Sequence, residues 1–143
     1  MADLGWEQAL LRLVVAFALG LPIGWEREHR AFSPGLRIFP LVGVGACEFL
    51  LVGQHAFGHN SEAEARILQG LLGGIGFIGG GAILKGRKVE EVHGLSTAVA
   101  IWITAGIGAS IAYGLFWMAA FLSLLTLASL RLFSPRRKEP LRS

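Results

Sequence analysis

Two carboxylates stand two residues apart in Trp25-Glu-Arg-Glu28, and Glu26 and Glu28 are the kind of pair that a magnesium ion takes, with water completing its shell. On a helix, residues two apart point about 200° away from each other, so this pair cannot chelate alone. Glu26 and Arg30 have the i,i+4 spacing of an ion pair, and Arg37 is placed to meet either acid. A structural network of Glu26, Arg27, Glu28 and Arg37 is the plainer reading, with magnesium as the alternative and no other cofactor expected.

Other chemistry-bearing groups are weaker. His55 and His59 are four apart, with Glu62 and Glu64 following, which is the material of a zinc or proton sensor. Gly58 and Asn60 make that stretch a poor helix, and two histidines fall one ligand short of a usual site, so a solvated loop is expected. His29 and His93 stand alone. Ser96-Thr97 is read as the N-terminal cap of a helix after Gly94 rather than as a nucleophile. Gly74, Gly76 and Gly79 spell G-x-G-x-x-G, but that fingerprint needs a preceding strand and a soluble βαβ unit. No nucleophile–base pair or phosphate loop remains, so enzyme activity is not expected.

The elements that must hold these residues are apolar. The chain has 143 residues, 53% hydrophobic and 16% charged, and a mean hydropathy of +0.57. Its charges cluster between apolar runs of about 20 residues, the length that crosses a hydrocarbon core of about 30 Å. Five spans are expected in a single all-α domain, at about 4–24, 38–57, 66–84, 94–113 and 115–133, followed by a short basic tail at 134–143. The start is too long and too acidic for a cleaved signal peptide, so the first span is expected to be retained. Gly20-Leu-Pro-Ile-Gly24 is expected to close that span, since Pro22 removes a helix hydrogen bond. Trp6 and Trp25 lie near opposite ends, as interfacial aromatics do. The lone Cys47 excludes an internal disulfide framework.

Eleven of the thirteen Lys and Arg residues fall in segments 26–37, 85–93 and 131–143, on one side of this topology. The positive-inside rule then puts the N-terminus outside and the C-terminus in the cytoplasm. This distribution explains the net charge of +3 without nucleic acid.

The third span, Arg66 to Leu84, has Gly70, Gly73, Gly74, Gly76, Gly79, Gly80 and Gly81. Small residues at i,i+4 let helices approach closely in lipid. The span is therefore expected to be a central helix gripped on more than one side, with Gly76→Leu or Gly80→Leu disrupting assembly. The fourth span repeats the logic at Ala100, Thr104, Gly108 and Ala112, while the fifth is expected on the lipid-facing periphery. A spare small face suggests a homodimer. Inside the membrane, Arg12 and Glu48 each lie eight residues from the outer end of their spans, roughly 12 Å deep at 1.5 Å per residue. An unpaired charge at such depth is costly, so an ion pair between them is expected.

At this level the residues resemble a family. Leu19-Gly-Leu-Pro-Ile-Gly-Trp-Glu-Arg-Glu28 is similar to the L-G-x-x-I-G-x-E-R-E signature of the MgtC/SapB membrane proteins. Gly35-Leu-Arg-Ile-Phe-Pro-Leu-Val-Gly-Val-Gly-Ala46 resembles their second block. Arg66-Ile67 with Gly74 to Gly81 resembles the third, and Gly94-Leu-Ser-Thr-Ala98 with Ile101-Trp102 and Ala105-Gly-Ile-Gly108 the fourth. The resemblance implies a bacterial inner-membrane protein linked to growth in scarce magnesium and, in some pathogens, to survival in macrophages. It further implies a regulatory role exerted on other membrane proteins, ATP synthase among them, rather than magnesium movement. Two departures are expected to matter: no soluble C-terminal domain follows the spans, and Glu48 stands where a small or apolar residue belongs. A cation or proton pathway through Glu48 and the Glu26/Glu28/Arg37 mouth is the alternative.

Overall fold

A computed structural model describes residues 5–28, 35–58, 61–85 and 92–133. It contains five helices: α1 (Trp6–Glu28), α2 (Phe39–Phe57), α3 (Ser61–Gly81), α4 (Leu95–Ala112) and α5 (Phe116–Leu132). Between α3 and α4, two short strands, β1 (Leu84–Lys85) and β2 (Val92–His93), pair antiparallel, Leu84 opposite His93. The all-α expectation holds in the five helices; the third ends at Gly81, short of the expected Leu84, and its exit pairs with the chain returning to α4. Three helices, α1, α2 and α4, are long and apolar enough to cross a membrane, and α5 is a shorter apolar helix of 17 residues. α3 has 21 residues but opens with Glu62 and Glu64 in its first turn, followed by Arg66.

α1 does not stop at the Gly20–Gly24 segment; it runs on to Glu28 with Pro22 inside it. Proline costs one bond to the preceding turn, whereas unwinding the chain in hydrocarbon would expose several backbone groups. Ser123 of α5 donates a 2.9 Å hydrogen bond to the Leu19 carbonyl in the adjacent turn. The two glycines do bring backbones together. A Cβ added at Gly20 would lie 2.8 Å from Pro40 Cα, and one at Gly24 would lie 3.1 Å from Leu36 Cα.

α4 is the centre of the bundle and packs against each of the other four helices. Its stripe of Ala100, Thr104, Gly108 and Ala112 is buried. Gly108 lies directly on the Gly43 carbonyl of α2, and its Cβ would stand 3.1 Å from Ala46 Cβ. Thr104 returns its hydroxyl to the Ala100 carbonyl at 2.7 Å, which lets a polar side chain sit in that contact.

α3, expected to be central, packs mainly on α2 and α4 and leaves most of its glycines uncovered. A Cβ at Gly70, Gly73, Gly74, Gly76, Gly80 or Gly81 would meet nothing within 4 Å; only Gly79 abuts a neighbour, Ala98 of α4 at 3.4 Å. Ile75 and Gly79 form the buried edge of this helix. The reason is the large residues interleaved with the glycines: Ile67, Leu71 and Ile75 make the contacts, which turns the glycine-rich side outward.

Candidate functional site

The family-like blocks converge at one end of the bundle, where α1 ends and α2 and α4 begin. Glu26 and Arg27 lie in the last turn of α1 and are 9% and 5% exposed. Arg27 Nε donates to Glu26 Oε2 at 2.9 Å, and its Nη1 donates to Ser96 Oγ of α4 at 3.1 Å. A buried charge is tolerated when it is paired and hydrogen-bonded. Here the pair is between sequence neighbours, and the Arg27 side chain reaches on to tie α1 to the first turn of α4.

Glu28 is turned another way. Its Oε2 accepts the backbone N–H of Leu36 at 2.9 Å, holding the turn that leads into α2. Gly35 packs against Glu28, with its added Cβ only 2.6 Å from Glu28 Cα. A carboxylate near a helix start also suits the positive end of the helix dipole. Arg37 is exposed and pairs with neither acid, and Arg30 lies outside the described residues. His29 and His59 lie there too, as does the tail from 134, while the backbone alone places His93 in β2. His55 is exposed near the end of α2.

The cap expected of Ser96-Thr97 is corrected. The N-cap of α4 is Gly94, with φ +88° and no side-chain cap bond. A side chain there would be strained and would meet the Ala82 carbonyl, so the position requires glycine. Ser96 instead receives Arg27, and Thr97 is buried. Ser96 is the site residue that sequence reasoning missed: its spacing signalled a cap and nothing signalled the distant Arg27.

The chemistry of this end is that of a latch. Glu26 is committed to a cation and Glu28 to an amide, so the donor set does not fit a resident magnesium ion. Among the described residues no group of three His, Cys, Asp or Glu side chains is placed to hold a metal.

At the opposite end, the expected Arg12–Glu48 ion pair does not form. Arg12 Nη1 donates to the Ala112 carbonyl at 2.6 Å, at the last residue of α4. The last four carbonyls of a helix lack intrahelical donors, and a cation there also suits the dipole. The two residues lie on faces that do not meet. Cys47 of α2, buried, lies within electrostatic range of Arg12; Glu48, about 100° further round the helix, is exposed. Nearby, burial and the Glu64 carboxylate of α3 both push the Tyr113 phenol up.

Residues 13–138 match the MgtC family. The chain belongs to that family. It is 39% identical over 124 residues to slr0014 of Synechocystis, matching 87% of this chain and 51% of the relative. It is 37% identical over 139 residues to SrpB of Synechococcus elongatus, 88% of this chain and 76% of that protein. It is 35% identical over 130 residues to YhiD of Escherichia coli, named as a candidate magnesium transporter, 87% of this chain and 60% of that one. The chain thus spans about half to three-quarters of the length of these curated relatives. No solved structure matches it. Apolar helices and family together make this a membrane protein whose relatives are linked to magnesium.

Proposed function

We propose that this MgtC-family chain is a single five-span domain of the bacterial inner membrane, N-terminus outside and C-terminus cytoplasmic. It acts as a regulator of other membrane proteins under magnesium limitation, works as a homodimer, and carries no enzymatic activity. The observation that carries this reading is the uncovered side of α3. Beside it runs an apolar groove of about 430 Å3 lined by Phe49, Ile67, Gly70, Gly74, Ile75 and Ile78. Helices associate in lipid through small residues that admit close backbone approach, so this face suits a helix of another membrane protein.

The alternative is a cation or proton transporter, favoured by the name of YhiD. Against it stands the closed mouth: a pathway needs polar groups facing a cavity, whereas Glu26 and Arg27 are buried on one another and Glu48 faces outward. Reconstituting the purified protein alone in liposomes separates the readings. No magnesium or proton flux above empty vesicles is expected. A reproducible flux abolished by Glu48→Gln would replace the regulator with a transporter.

A further inference from the structure

We infer that a second copy docks on the outward face of α2, along a seam of Leu41, Gly45, Glu48, Val52 and His55 in which Glu48 meets its counterpart. The inference rests on the homodimer reading and names its surface. These five residues follow one another at intervals of four, three, four and three, the 3.5-residue repeat that keeps one helix face against another. The face is open: Leu41 and Val52 are 61% and 57% exposed, Glu48 and His55 are exposed, and a Cβ at Gly45 would meet nothing within 4 Å.

Glu48 is what demands an occupant. It is next in sequence to Cys47, which lies within electrostatic range of Arg12. Arg12 is six residues into α1, about 9 Å below Trp6 at 1.5 Å per residue. Among the described residues Glu48 joins no ion pair or hydrogen bond; Arg12 is held by Ala112 and Arg66 by Glu62. Ionisable side chains at membrane depth face a bundle interior and pair with one another, so a carboxyl facing out marks an interior that one copy does not complete. Two copies in the same membrane orientation are related by an axis along the membrane normal, an isologous contact that sets each residue of the seam near its own mate. Across that axis each Glu48 carboxyl has the other as its polar partner in the apolar layer. A foreign helix bearing a donor would satisfy Glu48 as well, but a 3.5-residue register with a polar residue set among apolar and small ones is the device by which identical helices fix their alignment, and His55 lies at the end of the seam, near the end of α2.

Disulfide trapping in native membranes, on the full chain carrying Cys47→Ala, tests this. Val52→Cys is expected to give a disulfide-linked dimer on mild oxidation and Gly74→Cys is not. Adding Glu48→Val should lower the Val52→Cys yield by about threefold or more, and Glu48→Gln should retain it. Crosslinking at Gly74→Cys without any at Val52→Cys would move the dimer to α3, overturning the seam but leaving the homodimer. No crosslink at either site, with a monomeric mass, would overturn both. A Val52→Cys yield indifferent to Glu48→Val would remove the carboxyl pair.

Discussion

Arg12 of α1 and Ala112 of α4, 100 positions apart, are joined by a 2.6 Å hydrogen bond from guanidinium to carbonyl. The contact solves two problems at once: a cation inside an apolar span gains an acceptor, and the end of the central helix gains a donor. Gly114, with φ +76°, turns the chain beside the same guanidinium, where an added Cβ would lie 3.6 Å from Arg12 Nη2.

Arg12→Leu should therefore destabilise the protein by about 1–3 kcal/mol, the cost of an unsatisfied buried acceptor. Because Glu48 does not share this bond, adding Glu48→Leu should not restore what Arg12→Leu loses. Thermal unfolding of the two single variants and the double variant in detergent checks this. Effects that add within about 0.5 kcal/mol are expected; rescue by the second change would restore the ion pair that the structure lacks.

The Glu26–Arg27 pair allows a sharper test. Arg27→Met removes the cation beside a buried carboxylate and should cost about 3–5 kcal/mol, whereas Glu26→Leu with Arg27→Met together should cost much less. Ser96→Ala removes only the second acceptor of Arg27 and should cost about 1–3 kcal/mol. The measurement is the fraction folded against denaturant for each variant, and equal losses for Arg27→Met and the double change would refute the latch.

Much of this fold was legible because lipid imposes few solutions. The apolar runs and their charged borders gave five helices, and the small stripe of α4 gave its packed side. What failed was direction around the helix axis. Glycine density in α3 reads equally as a packed face or a vacant one, and only the placement of Ile67, Leu71 and Ile75 decides which. Glu48 failed by a single residue for the same reason. At the latch, Glu26, Arg27 and Glu28 were visible as a charged cluster, but Ser96 lies 69 positions from Arg27, beyond any local spacing rule.

Tyr113 offers an optical probe of the other end, being the single tyrosine of the chain. Burial, then the Glu64 carboxylate, favour its neutral phenol. Its absorbance titration should have a midpoint above the usual value of about 10, and Glu64→Gln should bring that midpoint down. The sign follows from the proton: the folded state binds it more tightly, so this contribution to stability is complete below the usual phenol range and fades as pH rises above it. A midpoint unaffected by Glu64→Gln would separate α3 from the 113–114 turn.

The two kinds of glycine should respond oppositely to the same methyl group. Gly108→Ala drives a Cβ into the Gly43 carbonyl and against Ala46, where the backbone of α2 must move. Overpacking of that kind costs about 1–3 kcal/mol. At Gly76 or Gly80 the added methyl meets open space, so Gly80→Ala should leave protomer stability unchanged or raise it by up to about 1 kcal/mol through helix propensity. Gly80→Leu, expected from the sequence to disrupt assembly, should leave the protomer folded, and any defect should be confined to binding a partner at α3. Melting temperatures of the three variants in detergent read the protomer effects, and co-purification of tagged and untagged copies should be unchanged by Gly80→Leu, since the seam between copies lies on α2. A Gly80→Leu protein that unfolds before Gly108→Ala would show that α3 is packed on its glycine side after all.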